Sequence, residues 1–245
     1  MELRVIFDGK NKAAWNMALD ESLLYHLKEV GPTLRLYGWV PPAVSIGYFQ
    51  SMEEEVNVEK AREMGVDVIR RITGGGAVYH KYELTYSIVM SPPPGKILES
   101  YRIIEKGIVE ALNMIGVKAE MSGINDIIVE GKKISGNAQT RKYGVLLQHG
   151  TLLIDVDVDE MFTLLKVPQE KMRDKIIKSV KERVTSLHNL GKKVNFEELQ
   201  KFMAEGFAKA LNAHLYEENL SQKVLSYAKH LEVNKYATRE WNFKR

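Results

Sequence analysis

Short segments patterned for strands crowd the chain before about residue 155, and segments patterned for helices dominate after it. Leu3, Val5 and Phe7 alternate, as do positions in Leu34–Tyr37, Val44–Tyr48, Val66–Arg71 and Leu84–Met90, and Val145–Ile154 makes a longer run. Beyond Val158 the apolar spacing becomes helical: Asn195 and Glu198 form a capping-box pattern ahead of Leu199, Phe202, Met203, Phe207, Ala210 and Leu211. Such segregation predicts an α+β fold built on a mixed or antiparallel central sheet flanked by helices. Two helices interrupt the strand-rich part. One runs through Ala13–Lys28, with Trp15, Ala18, Leu19 and Leu23 at helical spacing, and another presents Ile104, Ile108, Ala111, Leu112 and Ile115 and stops at Gly116. Asn57 caps a short helix ended by Gly65, and Ser91-Pro92-Pro93-Pro94-Gly95 is a loop because proline cannot donate to a ladder. Asp126–Val129 and Lys132–Ser135 flank Glu130-Gly131 as a hairpin.

The 245 residues contain no internal repeat or convincing linker, so a single catalytic-size domain over 1–245 is expected. Their 35 Lys and Arg against 32 Asp and Glu give a net charge of +3, far from the basic stripe of a nucleic-acid binder. No window of 18 apolar residues and no signal-peptide pattern at Met1-Glu2-Leu3-Arg4 occur, which predicts no membrane association and a cytoplasmic location. There is no cysteine, which excludes disulfides, thiolate metal sites and a thiol nucleophile.

Chemistry concentrates in two segments. Arg70-Arg71-Ile72-Thr73-Gly74-Gly75-Gly76-Ala77-Val78-Tyr79-His80 places three glycines between strands, where a backbone without Cβ atoms can approach a ligand, and its arginines supply charge for phosphate or carboxylate. Gly131-Lys132-Lys133-Ile134-Ser135-Gly136 puts Lys133 on a strand beside a tight turn. The phosphate loop GxxxxGK[ST], a helix-opening GxGxxG, the GxSxG elbow and HExxH are absent, and the six histidines are scattered, so a structural zinc site is not expected.

Together with Asn125-Asp126 and His149-Gly150-Thr151-Leu152-Leu153, these segments resemble the lipoate-protein ligase A family of the biotin and lipoate ligase superfamily. The similarity continues through Asn16–Glu21, Pro41–Gln50, Lys178-Ser179-Val180, Arg183-Val184-Thr185 and Tyr236 to Trp241-Asn242, nearly the whole chain. The resemblance implies a sheet of the kind found in class II aminoacyl-tRNA synthetases, with helices packed around it. It implies ATP-dependent activation of lipoate to lipoyl-AMP and transfer to a lysine of a lipoyl-domain acceptor, either the E2 component of a 2-oxoacid dehydrogenase or the glycine-cleavage H protein. By the same resemblance Arg71 and Lys133 contact nucleotide and acyl group, with Lys133 the central catalytic cation. Gly75, Gly76, Ala77, Val78 and Tyr79 surround the adenylate, Asn125 and Asp126 position the nucleotide, and Asp126 is a candidate ligand for the Mg²⁺ that accompanies ATP. No other protein metal ligand is expected.

Two departures from the family matter. His80–Ser87 and Asn137–Gly150 look more like the related octanoyltransferases, which use a cysteine thioester; this chain offers no thiol, and a serine or threonine is a far poorer nucleophile without an adjacent base. The chain also stops at Arg245, three residues after Asn242, so the C-terminal accessory domain of longer family members is expected to be missing and to be supplied by a separate small subunit. The remaining alternatives are a transferase acting between carrier proteins and a non-catalytic ligand-binding scaffold. Isolated from this context, His80 and His149 read as packed, hydrogen-bonded histidines and the charge-rich Lys166–Arg183 stretch as a solvated helix surface, which the resemblance places near the adenylate.

Overall fold

The computed structural model describes residues 1–167 and 170–245. Its eleven strands among the described residues are β1 (Glu2–Asn11), β2 (Thr33–Trp39), β3 (Ala43–Ile46), β4 (Asp67–Arg70), β5 (Val78–His80), β6 (Glu83–Met90), β7 (Glu120–Ser122), β8 (Asp126–Val129), β9 (Lys132–Lys142), β10 (Val145–Leu153) and β11 (His214–Glu217). Eight form one sheet in the order β11-β1-β2-β6-β10-β9-β8-β7, and β4-β3-β5 form a second. In the large sheet β1 runs parallel to β11 and β2, while the pairings from β2 to β7 are antiparallel. The fold is therefore α+β with a large mixed sheet flanked by helices, as the segregation of patterns predicts.

Burial explains the layering. Leu34, Leu36, Tyr86, Ile88, Leu146 and Leu152 project from the large sheet onto Ile104, Ile108, Ala111, Met203 and Phe207 of the helices Ile97–Met114 and Phe196–Leu211. The second helix starts at the predicted box: Asn195 accepts from the Glu198 amide at 2.8 Å and the Glu198 carboxylate accepts from the Asn195 amide at 3.2 Å. A second apolar cluster joins the helix Ala13–Tyr25 to Gln222–Leu231 and Tyr236. The third lies against the small sheet, around Val44, Ile46, Met52 and Val56.

Some boundaries depart from the sequence reading. The second arm of the hairpin does not end at Ser135; β9 continues to Lys142 because its partners β10 and β8 satisfy its backbone on both sides. Val44–Tyr48 is a strand only as far as Ile46, after which the chain turns toward the glycine loop. Strands β5, β7 and β11 were not read from the sequence, since three or four residues hold too little alternation to register. Within the charge-rich stretch, the helix Arg173–Arg183 has no buried residue, in keeping with a solvated surface; Pro168 and Gln169 lie outside the described residues.

Candidate active site

A cavity of about 330 Å³ opens where the small sheet meets β6, β9 and β10. Arg71, Gly75, Gly76, Ala77, Val78, Tyr79, Asn125 and Lys133 all line it, so fold geometry gathers residues more than sixty positions apart. Asp126 does not line the cavity but stands directly behind Lys133, its Oδ1 2.7 Å from Nζ.

The two arginines of the motif do different work. Arg70 is fully buried and ties the loop to the end of the chain: its amide donates to Asn242 Oδ1 at 2.8 Å, its guanidinium donates to the carbonyls of Trp241, Asn242, Gly47 and Tyr48, and its carbonyl accepts from Trp241 Nε1 at 2.8 Å. Arg71 instead shapes the glycine loop. Its Nη2 donates to the carbonyls of Gly74 and Gly76 at 2.8 and 2.7 Å, and its Nη1 to the carbonyl and hydroxyl of Ser45, both at 3.1 Å. Gly75 sits at φ +92°, a backbone state closed to residues with a Cβ, which lets the loop curl around this guanidinium. No carboxylate pairs with Arg71 among the described residues, and burial pulls its pKa down to about 10. It remains a cation at neutral pH whose charge is answered only by carbonyl and hydroxyl dipoles, which is an incentive to take up an anion.

Lys133 is aimed by a β-bulge. Ile127 pairs with Ser135 and Ile128 with Lys133, leaving Ile134 as the extra residue, turned into the core. The Lys133 carbonyl accepts from the Thr185 amide at 2.8 Å, which fixes the strand against the segment after the helix Arg173–Arg183. Gly136, opposite Asp126 in the ladder, leaves room for the lysine to fold back, since a Cβ there would stand 2.8 Å from both Cε and Nζ. The Lys133 side chain is partly exposed and lines the cavity.

Below Lys133 lies a polar layer. Asn125 Nδ2 donates to the Asn137 carbonyl at 2.5 Å, and Asn137 returns its amide and Nδ2 to the Asn125 carbonyl at 2.9 and 3.0 Å. Asn137 also accepts from Tyr86 OH at 2.7 Å and donates to Glu105 at 3.2 Å. Burial, aided by the negative charge of Asp126, raises Glu105 to about 8, so it stands protonated at neutral pH.

Sequence reasoning passed over a second layer. Asp20 accepts from Arg35 at 2.9 Å, Tyr37 OH at 2.8 Å and Ser87 Oγ at 2.7 Å, and faces His149 Nδ1 at 3.3 Å. Burial by itself would raise the Asp20 pKa, but the His149 hydrogen bond and the Arg35 charge outweigh it and the net shift is downward. Burial lowers His149, whose Nε2 lies 2.6 Å from Thr73 Oγ1. His80 is likewise buried, stacked on Trp39 with ring centroids 4.0 Å apart. Both histidines are packed and hydrogen-bonded as expected, yet both also line the cavity. The signal available in the sequence was the placing of Asn16, Asp20 and Glu21 among the apolar residues Met17, Ala18, Leu19, Leu23 and Leu24 of one helix, where all three polar side chains are buried.

A glycine loop held by one buried arginine and a lysine on a bulged strand thus contribute to the wall of one cavity. The chain belongs to the lipoyl protein ligase A/B catalytic domain family, whose model matches residues 12–208. It is 38% identical to a Bacillus subtilis (strain 168) protein named octanoyltransferase LipM, over 99% of this chain and 98% of that one, and 39% identical to the Kyrpidia tusciae protein of the same name, with the same coverage. Among solved structures it is similar to a bi-partite lipoate protein ligase from Thermoplasma acidophilum, at TM-score 0.92 and 33% identity over 99% of this chain and 96% of that one. It is also similar to a lipoate-protein ligase A bound with ATP, at TM-score 0.87 and 31% identity over 99% of each chain. This is an enzyme of the lipoate ligase and octanoyltransferase family, acting in protein lipoylation. No helix among the described residues is long and apolar enough to cross a membrane.

Proposed function

We propose that this chain is the catalytic subunit of a lipoate-protein ligase, activating lipoate with ATP to lipoyl-AMP and passing the lipoyl group to a lysine of a lipoyl-domain acceptor. The observation behind this reading is that the buried guanidinium of Arg71, which pairs with no carboxylate among the described residues, lines the same cavity as Lys133, in a chain with no thiol to hold an acyl group. Carboxylate attack on a phosphate brings two anions together, so two preorganised cations are what that step requires. In this assignment Lys133 leaves Asp126 to hold the carboxylate and then the adenylate oxygen. Arg71 neutralises charge at the phosphate, and the backbone of Gly75 to Tyr79 walls the nucleotide. Asn125 positions it through the Asn137 layer.

Among the described residues no group of three His, Asp or Glu side chains could hold a metal ion. A single carboxylate at Asp126 fits a Mg²⁺ held chiefly by the nucleotide's own phosphates, which is how that ion commonly enters such sites. The acceptors on this reading are E2 lipoyl domains or a glycine-cleavage H protein. A separate small accessory subunit completes the activation of free lipoate, an arrangement favoured by the similarity to a structure described as a bi-partite ligase with its E2 lipoyl domain. Cytoplasmic location is part of the same proposal.

The relatives named octanoyltransferase favour a second reading, in which an octanoyl or lipoyl group moves between carrier proteins without ATP. The two are separated by lipoate-dependent exchange of labelled pyrophosphate into ATP, measured with and without the candidate small subunit. Exchange identifies the ligase. Its absence in both mixtures, with acyl transfer from a carrier intact, rejects adenylation.

A further inference from the structure

Cysteine is missing from the chain, but an activated hydroxyl is not. Ser45, on β3, His80, at the end of β5, and Glu83, at the start of β6, all line the cavity. Ser45 Oγ lies 2.7 Å from His80 Nε2, and His80 Nδ1 lies 2.6 Å from Glu83 Oε1. The proton positions follow from the partners. The Ser45 hydroxyl already accepts from Arg71 Nη1 at 3.1 Å, so its own hydrogen points to His80. The Glu83 carboxylate can only accept, so His80 carries its proton on Nδ1 and offers the Nε2 lone pair to serine. Glu83 is itself held by Thr85 Oγ1 at 2.8 Å, which accepts from Trp39 Nε1 at 2.8 Å, and the same indole stacks on the imidazole. Nucleophile, base and orienting carboxylate thus stand in the order of a serine acyl-transfer triad, on a fold unrelated to those where such triads are best known.

A similar array, Thr73, His149 and Asp20, does not meet the same test. Thr73 and Ser45 are both buried, but only Ser45 lines the cavity, and the carboxylate of Asp20 is shared with Arg35, Tyr37 and Ser87.

We propose that Ser45 is an acyl-accepting nucleophile that takes a medium-chain acyl group from a thioester, independently of ATP. The inference deepens the second reading of the site, transfer between carriers, by supplying the nucleophile that a cysteine-free chain otherwise lacks. His80 Nε2 takes the proton as Ser45 Oγ bonds to the thioester carbonyl carbon, and the carbonyl oxygen takes up the negative charge of the tetrahedral intermediate. The C–S bond then breaks, and the thiolate leaves with the proton returned from His80, giving a free thiol and an acyl-serine ester. In the second half, the neutral amine of the acceptor lysine attacks the ester carbonyl, its proton passes to His80, and the departing Ser45 oxygen recovers it. The products are an amide and the starting serine.

The test is intact-protein and peptide mass spectrometry of the full chain incubated with octanoyl-pantetheine and no ATP. The wild type should gain one octanoyl group on the Ser45 peptide, stable to neutral hydroxylamine. Ser45→Ala should show none, and His80→Ala should acylate on the order of 10²-fold more slowly, the loss expected of a general base. Ser45→Cys should give a hydroxylamine-labile adduct, which shows that donor and pocket are compatible. A wild type left unmodified, whether or not Ser45→Cys reacts, overturns the proposal, as does an adduct undiminished in Ser45→Ala. ATP-dependent lipoylation, assayed alongside with the wild type, reports on the ligase reading separately.

Discussion

Replacing Gly136 by alanine separates the position of the Lys133 charge from its presence. The added methyl would stand 2.8 Å from Lys133 Cε and Nζ and 3.7 Å from Asp126 Oδ1. Carbon contacts settle near 3.5–4.0 Å, so the ammonium must withdraw by roughly 1 Å. The ammonium is the free end of a flexible side chain and the φ of Gly136 lies outside the left-handed region, so the substitution strains no backbone there. The ion pair it disturbs is partly exposed and contributes about 0–1 kcal/mol, which corresponds to a fall in Tm of no more than roughly 4 °C. A misplacement of about 1 Å in a reacting constellation costs on the order of 10²-fold in rate. Lys133→Ala, which removes the cation altogether, should lose about 10²–10³-fold while staying folded. The assay is single-turnover modification of a lipoyl-domain acceptor, with thermal unfolding run on the same samples. Gly136→Ala at the wild-type rate, beside an inactive Lys133→Ala, would refute the claim that the bulge and glycine aim the lysine. A fall in Tm well beyond that limit would show that the methyl instead displaces the sheet.

Other perturbations probe the supporting layers. At Gly150 a methyl would meet Asn137 Oδ1 at 2.0 Å and Tyr86 Cε1 at 2.8 Å, both buried, so Gly150→Ala overpacks a filled layer and strips Asn137 of partners; it should cost on the order of 2–5 kcal/mol and lower Tm by at least about 5 °C in calorimetry. Glu105, raised to about 8 by burial and by Asp126, stays protonated in the folded chain while the unfolded chain ionises in the ordinary carboxylate range. Its contribution to stability is therefore full in acid and drains away as pH rises through 8, so wild-type Tm should fall relative to Glu105→Gln between about pH 5 and 8, and parallel curves would refute the shift. Asn242→Ala removes the acceptor for the Arg70 amide and the donor to the Tyr236 and Thr238 carbonyls, and should lower Tm by roughly 2–12 °C, read by the same calorimetry.

The sheet-and-helix architecture was legible because its long elements show their period. The alternation of Leu84–Met90, the capping box at Asn195 and the apolar stripe from Ile104 to Ile115 all reappear as predicted. The glycine loop and the Lys133 hairpin stand out by unusual composition, and of the nine candidate residues Arg71, Gly75, Gly76, Ala77, Val78, Tyr79, Asn125, Asp126 and Lys133 all but Asp126 line the cavity. Relations set by tertiary pairing were not legible. Nothing in the sequence says that β1 pairs parallel with both neighbours, that Arg70 clasps the Trp241-Asn242 end while Arg71 turns inward, or that Ser45 meets His80 thirty-five residues on. Histidine and serine are commonplace residues whose chemistry depends on what faces them, and local patterning carries no record of that.

The measurement closest to the central claim is mass spectrometry of a lipoyl-domain acceptor mixed with this chain, ATP, Mg²⁺ and free lipoate, with the candidate small subunit present or omitted, and with lipoyl-AMP in place of ATP and lipoate in a further pair of mixtures. The account predicts one lipoyl group on the acceptor lysine from ATP and lipoate when the subunit is present, and from lipoyl-AMP without it. An acceptor left unmodified in every one of these mixtures, yet acylated from an octanoyl-carrier protein, would contradict it.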